Sequence, residues 1–525
     1  MGRLSSIGRT GLHRLYSTRG YAEALEKLQD LETNQSVRDK LQTGSEQAKQ
    51  LNEQAIPEMQ TWLKRAGYTT SDLARMRHIH VAGTRGKGSV CTLATAMLLR
   101  HQASCEDSSG KKPLVGTYTS PHLISPRERI AINGEPVSQA VFAEAFFELW
   151  DRFTQAALQE GMEQHVAETI TSKPFYFGYL TIMAWHIFLK HGISDVVMEA
   201  GIGGEYDSTN VLPAEAVSVS IVTPLLRDHM PMLGTTRKEV AWNKAGIFKR
   251  GVRAFFFKDL GYRAEKNGVE ETLISRAEEK GADLTIIPNE VTQEWKARVN
   301  IRSASHELKF NHSFNTVVQV LAIMAVREHL GLNPASLATT EALQQMPPAL
   351  DQGLNEARMR GSFEVIEEED IMWLLDSAHS ASSLRVIGLW LKDMLKAPGE
   401  QIVLILSMDA RKPCDMMQKL VYSTWRFMER RDVLNTIIIT SNELVGEPDN
   451  WRLEEESQRT LDRNKGIYHD DCVMQVRKNM TDAIGLARKI AAAIKQGDVK
   501  PKVLVAGGHG SVGAALKVLE PESLS

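Results

Sequence analysis

The sequence predicts an α/β protein with two domains. We expect the N-terminal domain to contain a P-loop-type, doubly wound and mostly parallel sheet, and the smaller C-terminal domain to be a Rossmann-like α/β unit. Three observations support this fold class. Short apolar runs alternate with segments of helical length, a glycine-rich loop follows the first apolar run, and the alternation restarts after a proline-containing stretch at residues 334–361.

The first twenty residues differ in composition from the rest of the chain. They contain four arginines and three serines, and the first acidic residue is Glu23. An arginine-rich, serine-containing and acid-free segment is typical of a mitochondrial presequence, but a disordered basic tail on a cytosolic protein fits equally well. We therefore expect one of these two at residues 1–20, and a protein that acts in the mitochondrial matrix, in the cytoplasm or in both.

The overall composition excludes several classes of protein. The 525 residues are 42% hydrophobic and 24% charged, and the net charge of −3 provides no basic field for nucleic acid. The four cysteines have no CxxC spacing, which argues against a disulfide framework and a zinc site. No apolar run approaches the roughly 18 residues that a transmembrane helix needs. We expect a monomer whose partners are small molecules.

The alternation of strands and helices predicts an N-terminal domain at residues 21–348. A helical segment at 21–64 precedes the glycine-rich loop, and strands and helices follow in turn. The predicted strands are 79–81, 114–118, 195–200, 217–223, 252–257 and 284–287, and the later helices are 139–160, 176–191 and 315–331.

The same pattern predicts a second domain at residues 349–525. Residues 443–470 are polar and are predicted as loop, and the acidic run 367–370 is predicted as a solvated hairpin turn. The predicted strands are 371–376, 402–407, 435–440 and 502–506, and the predicted helices are 381–395, 414–429, 480–495 and a final helix after residue 510.

The glycine-rich loop has the chemistry of a phosphate-binding site. Gly83 and Gly86 allow a tight turn whose backbone N–H groups surround a phosphate, and a helix N-terminus adds positive charge. Lys87 can reach the β- and γ-phosphates of a nucleotide, and Ser89 can ligate Mg²⁺. Gly88 separates this lysine from the serine, which departs from the usual G-x-x-x-x-G-K-[ST] spacing. A simple glycine turn between strand and helix is the alternative.

Three other strand ends carry polar side chains. Ser120 and His229 each follow a predicted strand, Glu199 lies at the end of another, and ligands bind at the carboxyl ends of parallel strands. A lone acid after a valine run and before Gly-x-Gly-Gly suits a Mg²⁺ ligand, although a structural acid is also possible for Glu199. A hydrogen-bonded core role for His229 also remains open.

Lys244 lies in an otherwise apolar stretch. A buried lysine readily loses its proton, and the neutral amine can add CO₂ to form a carbamate that ligates metal. The alternative is an ordinary lysine that reaches solvent or pairs with Glu239.

Asp376 and His379 follow the first strand of the second domain. An acid and a histidine at such a strand end can hold a ribose or orient a phosphate. An Asx turn that caps the next helix explains the same residues.

Several blocks of the chain, in their order, resemble folylpolyglutamate synthases of the eukaryotic type. These enzymes belong to the Mur-ligase-like group of ATP-dependent amide ligases, and the resemblance covers nearly the whole chain from Tyr21. The most specific blocks are HVAGTRGKGS, YTSPHLISPRERIAING, VVMEAGIGGEYDSTNVL, AWNKAGIFKRGV and LLDSAHSASS.

The resemblance implies a role for each matching residue. The implied magnesium ligands are Ser120, Glu199 and His229, and the implied catalytic residues are Lys87, Lys244 (as a carbamylated lysine) and His229. The implied nucleotide contacts are Gly83, Thr84, Gly86, Lys87, Gly88, Ser89, Asn315, Asp376 and His379.

The resemblance also implies the reaction, which is that of an ATP-dependent acid–amino-acid ligase. ATP would phosphorylate the γ-carboxylate of a folate, and the amine of L-glutamate would attack the acyl phosphate to form an amide. Mg²⁺ would be required, and a monovalent cation is a further expected cofactor.

The chain departs from the family pattern at several positions. Bulky Leu226 and charged Arg227 replace small and apolar residues, and Ser362 replaces an arginine that contacts ATP in the family. Arg360 or Arg358 is the candidate substitute for that arginine. These departures permit two alternatives. One is a related amide ligase that acts on another carboxylic acid in secondary metabolism, and the other is a nucleotide-binding protein without catalysis.

Overall fold

The computed structural model divides the chain into two compact units. The first comprises residues 1–120, 127–305 and 313–357, and the second comprises 121–126, 306–312 and 358–525. The residues that the structure describes are 19–31, 46–104, 114–225, 232–258, 268–302, 313–333, 339–378, 381–395, 399–407, 420, 422, 430, 432–443, 472–495 and 499–521.

The first unit contains an eight-stranded sheet with the order β4-β3-β2-β5-β1-β6-β7-β8. The strands from β2 to β8 in this order are parallel, whereas β3 and β4 add an antiparallel edge. The strands are β1 (Arg77–Ala82), β2 (Val115–Tyr118), β3 (Ile130–Ile132), β4 (Glu135–Pro136), β5 (Asp195–Glu199), β6 (Val217–Val222), β7 (Arg253–Phe257) and β8 (Asp283–Ile287).

Apolar helix faces cover both sides of this sheet. Successive strand residues point to opposite faces, so along β5 Val196 and Met198 join one apolar layer and Val197 joins the other. The helices of the described part of this unit are Tyr21–Asp30, Glu46–Arg65, Thr70–Leu73, Lys87–Ser104, Gln139–Gln159, Gln164–Ala167, Tyr176–His191, Arg237–Lys244, Val269–Lys280, Asn289–Arg302, Ser313–His329, Thr339–Gln344 and Pro348–Glu356.

The second unit contains a six-stranded sheet with the order β13-β12-β11-β14-β10-β9. Only the edge strand β9 is antiparallel to its neighbour. The strands are β9 (Glu364–Glu367), β10 (Met372–Asp376), β11 (Ile402–Ser407), β12 (Leu434–Thr440), β13 (Val473–Val476) and β14 (Lys502–Ala506), and the described helices are Ala381–Met394, Met480–Ile494 and His509–Leu519.

The predicted fold class is confirmed, with two α/β units whose sheets are mostly parallel. The acidic run 367–370 forms the hairpin turn between β9 and β10. Strands β3, β4, β9 and β13 and the helix Asn289–Arg302 were not predicted. The predicted helix 414–429 lies largely outside the described residues, as do residues 1–18.

The division between the units falls after Ala357 rather than after residue 348. The helix Pro348–Glu356 packs tightly on the helix Lys87–Ser104, because a Cβ on Gly353 would come within 2.6 Å of the Ala96 carbonyl oxygen. This contact joins residues 349–356 to the first unit. No helix in the described ranges has the length and apolarity required to span a bilayer.

Candidate active site

The glycine-rich loop connects β1 to the helix Lys87–Ser104 at the carboxyl end of the parallel strands. Gly83 adopts a φ of +141°, and a Cβ there would lie 1.9 Å from Thr223 Oγ1 and 2.8 Å from the Thr223 backbone nitrogen. Gly86 adopts a φ of +84° immediately before the helix begins. Both positions therefore require glycine, and the loop has the conformation expected of a phosphate-binding turn.

Lys87 and Glu199 form an ion pair beside this loop. The lysine Nζ lies 3.6 Å from Glu199 Oε1, and the side chains are 14% and 3% exposed. Desolvation raises the pKa of Glu199, and the positive charge of Lys87 opposes that rise. A phosphate bound by the loop would therefore lie beside a half-buried ammonium that already compensates the charge of one carboxylate.

Ser120 contacts the same carboxylate from the loop after β2. Its backbone N–H donates to Glu199 Oε2 at 3.1 Å. A Cβ added at Gly88 would lie 3.6 Å from Oε2, so the helix N-terminus approaches Glu199 closely. The structure thus brings together the loop with its Lys87, Ser120 and Glu199, three features that lie far apart in the sequence.

The donor set around Glu199 fits Mg²⁺. The Glu199 carboxylate and the Ser89 and Ser120 hydroxyls are hard oxygen donors, and Mg²⁺ commonly binds through one or two protein ligands plus nucleotide phosphates. In the part of the chain that is described, no three His, Cys, Asp or Glu side chains come together as a metal cluster. His229, the third predicted ligand, lies outside the described residues.

Lys244 is buried and faces the glycine-rich loop. It is 1% exposed at the end of the helix Arg237–Lys244, and its Nζ donates to the Gly83 carbonyl oxygen at 2.7 Å. Glu239, the alternative partner considered above, instead accepts N–H groups of Thr235 and Thr236 at the start of that helix. Lys244 therefore supports the phosphate-binding loop directly.

The glycine turn after Glu199 is held by hydrogen bonds that sequence analysis missed. Asp207 accepts the Ile202 N–H and the Thr209 hydroxyl, and the same hydroxyl lies 2.8 Å from His80 Nε2. Because that hydroxyl donates to Asp207, His80 Nε2 must donate to it, so His80 is the Nε2–H tautomer. The Asx pattern at Asp207 was the available signal for this network.

Asn243 anchors the other end of the turn. Its Oδ1 accepts the Gly204 N–H at 3.0 Å, and its backbone carbonyl accepts the Glu205 N–H at 2.7 Å. Asn243 precedes Lys244, so one helix terminus fixes both the glycine turn and the glycine-rich loop.

Three large apolar side chains around this turn are exposed. Ile202 is 41% exposed within the turn, and Trp242 is 37% exposed with its ring 6.3 Å from that of Tyr206 at a tilt of 48°. Phe175 is 46% exposed and immediately precedes the helix Tyr176–His191. This helix packs on the turn, since the Phe177 ring fills the space beside Gly201. The first unit thus exposes apolar side chains around the glycine turn that follows Glu199.

The remaining predicted residues belong to other parts of the chain. Asp376 ends β10 in the second unit, where its carboxylate accepts the N–H groups of Phe363 and Ala378. Arg360, also in the second unit, pairs with Glu364 and Glu520, both at 2.7 Å. Asn315 lies in the first turn of the helix Ser313–His329, but its side chain lies outside the described residues, as does His379.

Comparison with curated proteins found fungal relatives over most of the chain. A folylpolyglutamate synthase of Neurospora crassa is 32% identical over 519 residues, which is 96% of this chain and 92% of that protein. A probable folylpolyglutamate synthase of Schizosaccharomyces pombe is 32% identical over 458 residues, 86% of this chain and 83% of that protein. No protein-family model matches the chain.

Solved structures share the fold. A Mycobacterium tuberculosis folylpolyglutamate synthase complexed with ADP superposes with a TM-score of 0.63 at 20% identity, covering 90% of this chain and 98% of that one. A Yersinia pestis bifunctional folylpolyglutamate synthase/dihydrofolate synthase complexed with AMPPNP and a Mn ion has a TM-score of 0.56 at 18% identity. The match covers 88% of this chain and 93% of that one. The fungal relatives and the shared fold together establish that this chain belongs to the folylpolyglutamate synthase family.

Proposed function

We propose that this protein uses ATP to add L-glutamate to the γ-carboxylate of tetrahydrofolate. The observation that carries the proposal is the pairing of Lys87 with the buried Glu199 beside a loop whose glycines Gly83 and Gly86 have positive φ. Family membership supports the reaction, since the relatives are named for glutamylation of folate.

The loop and Lys87 have the chemistry for phosphoryl transfer. The loop N–H groups and the helix N-terminus would hold the ATP phosphates, and the Lys87 ammonium would neutralise charge on the γ-phosphoryl group. A carboxylate oxygen of the acid would attack that phosphorus, and the bond to the β-phosphate oxygen would break. The product is an acyl phosphate. Its carbonyl carbon is a good electrophile because phosphate can leave, whereas a free carboxylate is a poor electrophile.

Amide formation would follow at the same carbon. The uncharged amine of L-glutamate attacks the acyl carbon, the phosphate leaves with one of the original carboxylate oxygens, and the nitrogen loses a proton. Exclusion of water is essential because hydrolysis of the acyl phosphate would waste ATP.

Glu199, Ser120 and Ser89 would hold Mg²⁺, with His229 as the further ligand that the family resemblance implies. When bound, Mg²⁺ would reduce the negative charge of the β- and γ-phosphates. Burial of Glu199 favours this role, because an adjacent cation offsets the desolvation of a buried carboxylate.

A carbamate on Lys244 is the second part of the proposal. Lys244 is 1% exposed and donates to the Gly83 carbonyl, which places its amine beside the phosphate-binding loop. Addition of CO₂ would form a bond from Nζ to carbon and release one proton. The resulting anion would face the loop as an additional oxygen donor.

The exposed apolar side chains support an acid with an aromatic ring system. We propose that Phe175, Ile202 and Trp242 contact the ring end of the folate while its carboxylate reaches Lys87. Asn315, Arg360, Asp376 and His379 are proposed nucleotide contacts. A monovalent cation, a monomeric state and action in the mitochondrial matrix or the cytoplasm complete the proposal.

One assay tests the proposed function. Purified protein is incubated with ATP, Mg²⁺, L-glutamate and tetrahydrofolate, and product mass is measured. We expect one or more glutamyl additions that require all four components. Phosphate release with a different carboxylic acid but not with folate would indicate the related amide ligase, and ATP binding without turnover on any acid would indicate a non-catalytic protein.

A further inference from the structure

The loop between β2 and β3 crosses from one unit to the other. Its base is closed by the Thr119 N–H, which donates to the Arg129 carbonyl at 3.0 Å. Ser120 belongs to the first unit, but residues 121–126 belong to the second. One peptide bond therefore links the Glu199 contact to a segment that packs in the other unit.

Leu123 fixes that segment within the second unit. Leu123 and Ile124 pack against the apolar cluster that includes Val512 and Leu516. A Cβ on Gly513 would lie 1.9 Å from the Leu123 carbonyl oxygen, and a Cβ on Gly361 would lie 2.9 Å from both Leu123 Cδ atoms. Leu123 thus fills the space that two glycines leave open.

The position of Gly361 is itself fixed. Its φ is +67°, its carbonyl accepts the Ser377 N–H at 2.9 Å, and Asp376 binds the N–H of nearby Phe363. The carboxylate of Asp376 therefore stabilises the turn against which Leu123 rests.

We propose that Gly361 and Gly513 are positioning residues for the Glu199 site. By holding Leu123, they hold segment 121–126, and through it they keep the Ser120 N–H on Glu199. The importance of this contact for catalysis rests on the proposed function, but the mechanical link does not.

Hydrogen exchange of the ligand-free protein tests the link. Because a Gly513→Ala side chain cannot fit beside the Leu123 backbone, we expect the Ser120 amide, followed in a peptide spanning residues 115–122, to exchange about tenfold faster, as for one lost hydrogen bond. Exchange in the helix Gln139–Gln159 should not change. Gly485→Ala is the matched control, since Gly485 lies in a helix of the same unit with nothing within 4 Å of an added Cβ.

A second pair of variants covers the case in which Gly513→Ala does not fold. Gly361→Ala introduces a Cβ against Leu123. Gly399→Ala introduces an alanine at a similar φ, +77°, but with nothing within 4 Å of its Cβ. We expect faster Ser120 exchange in Gly361→Ala only. Equal exchange in both variants of each pair would overturn the proposal.

A kinetic measurement separates this proposal from the proposed function. In an active ligase, Gly513→Ala should raise the Mg²⁺ concentration for half-maximal rate about fivefold or more relative to Gly485→Ala, as expected when one metal-supporting contact is lost. If the Ser120 amide exchanges faster but the Mg²⁺ requirement is unchanged, the two glycines position Ser120 without affecting the metal. That result would overturn their role in metal binding. If no ligase activity exists, the exchange result still decides whether the two glycines position Ser120.

Discussion

The Lys87 ammonium lies 3.6 Å from the Glu199 carboxylate, in a site from which both side chains reach little solvent. The pair joins the start of the helix Lys87–Ser104 to the end of β5. A phosphate that enters the site would pair with the Lys87 ammonium. A divalent cation would then replace that ammonium beside the Glu199 carboxylate.

Replacement of Lys87 by alanine should abolish most of the turnover. The variant loses the positive charge that stabilises the transferring phosphoryl group, and we expect kcat to fall by at least about 100-fold, as when a single transition-state donor is removed. Lys190→Ala is the control, because Lys190 also pairs with carboxylates but lies on the surface. Near-normal turnover in Lys87→Ala would refute the phosphate role.

Replacement of Glu199 by glutamine should specifically weaken the binding of Mg²⁺. The amide keeps the shape of the side chain but removes its charge, so we expect half-saturating Mg²⁺ to rise about tenfold or more. Glu148→Gln is the matched control, since Glu148 is a partly buried carboxylate that also pairs with a lysine. If both variants respond alike to Mg²⁺, Glu199 is not a metal ligand.

Replacement of Gly83 by alanine should weaken nucleotide binding. The new Cβ meets the Thr223 side chain and backbone, and the φ of +141° disfavours any side chain, so the loop must move. We expect the Kd for ATP to rise about tenfold, corresponding to strain of about 1–3 kcal/mol. Gly192→Ala, with a φ of +68° and nothing within 4 Å, should bind ATP normally.

A carbamate on Lys244 predicts a characteristic mass. Intact protein kept in bicarbonate should carry an additional mass of about 44, that of one CO₂ on a neutral lysine amine. Bicarbonate should also restore part of the activity of Lys244→Ala. The carbamate proposal fails if the mass is absent and no rescue is observed.

Burial of His78 predicts a loss of stability in acid. Desolvation lowers the pKa of His78 from 6.5 to about 4, although the Ala216 carbonyl partly offsets this shift. The native state therefore binds fewer protons than the unfolded state between these values, and the unfolding free energy falls as the pH is lowered from 6.5 to 4. His78→Leu should reduce that dependence by up to about 1.4 kcal/mol per pH unit.

Urea unfolding at several pH values measures this effect. The His165→Leu variant is the control, because it replaces a histidine whose side chain is 76% exposed rather than buried. A pH dependence that is the same in His78→Leu as in the wild type would show that His78 does not titrate with folding.

Much of the fold was predictable because its signals are local. Valine-rich runs such as β5 are buried on both faces, and the helices Gln139–Gln159 and Tyr176–His191 lie within one residue of their predicted bounds. The short strands β3 and β4 were missed because two or three residues carry no periodicity. The domain boundary depends on the contact between Gly353 and Ala96, which no local pattern records.

The site was predictable as a set of residue types but not as a geometry. Lys87, Ser120 and Glu199 could be identified because each lies at or after the end of a strand of a parallel sheet. The Asp207–Thr209–His80 network and the Asn243 anchor could not, because each depends on side chains that meet only after folding. The packing of residues 121–126 in the second unit could not be predicted either, because the residues before and after them in the sequence belong to the first unit.

The central claim is that ATP converts the carboxylate of the acid into an acyl phosphate. The most direct measurement uses tetrahydrofolate labelled with ¹⁸O in its γ-carboxylate, with ATP, Mg²⁺ and L-glutamate, and follows the label into inorganic phosphate by mass spectrometry. The account predicts that each amide formed transfers one ¹⁸O to phosphate. Formation of the amide with unlabelled phosphate would contradict it.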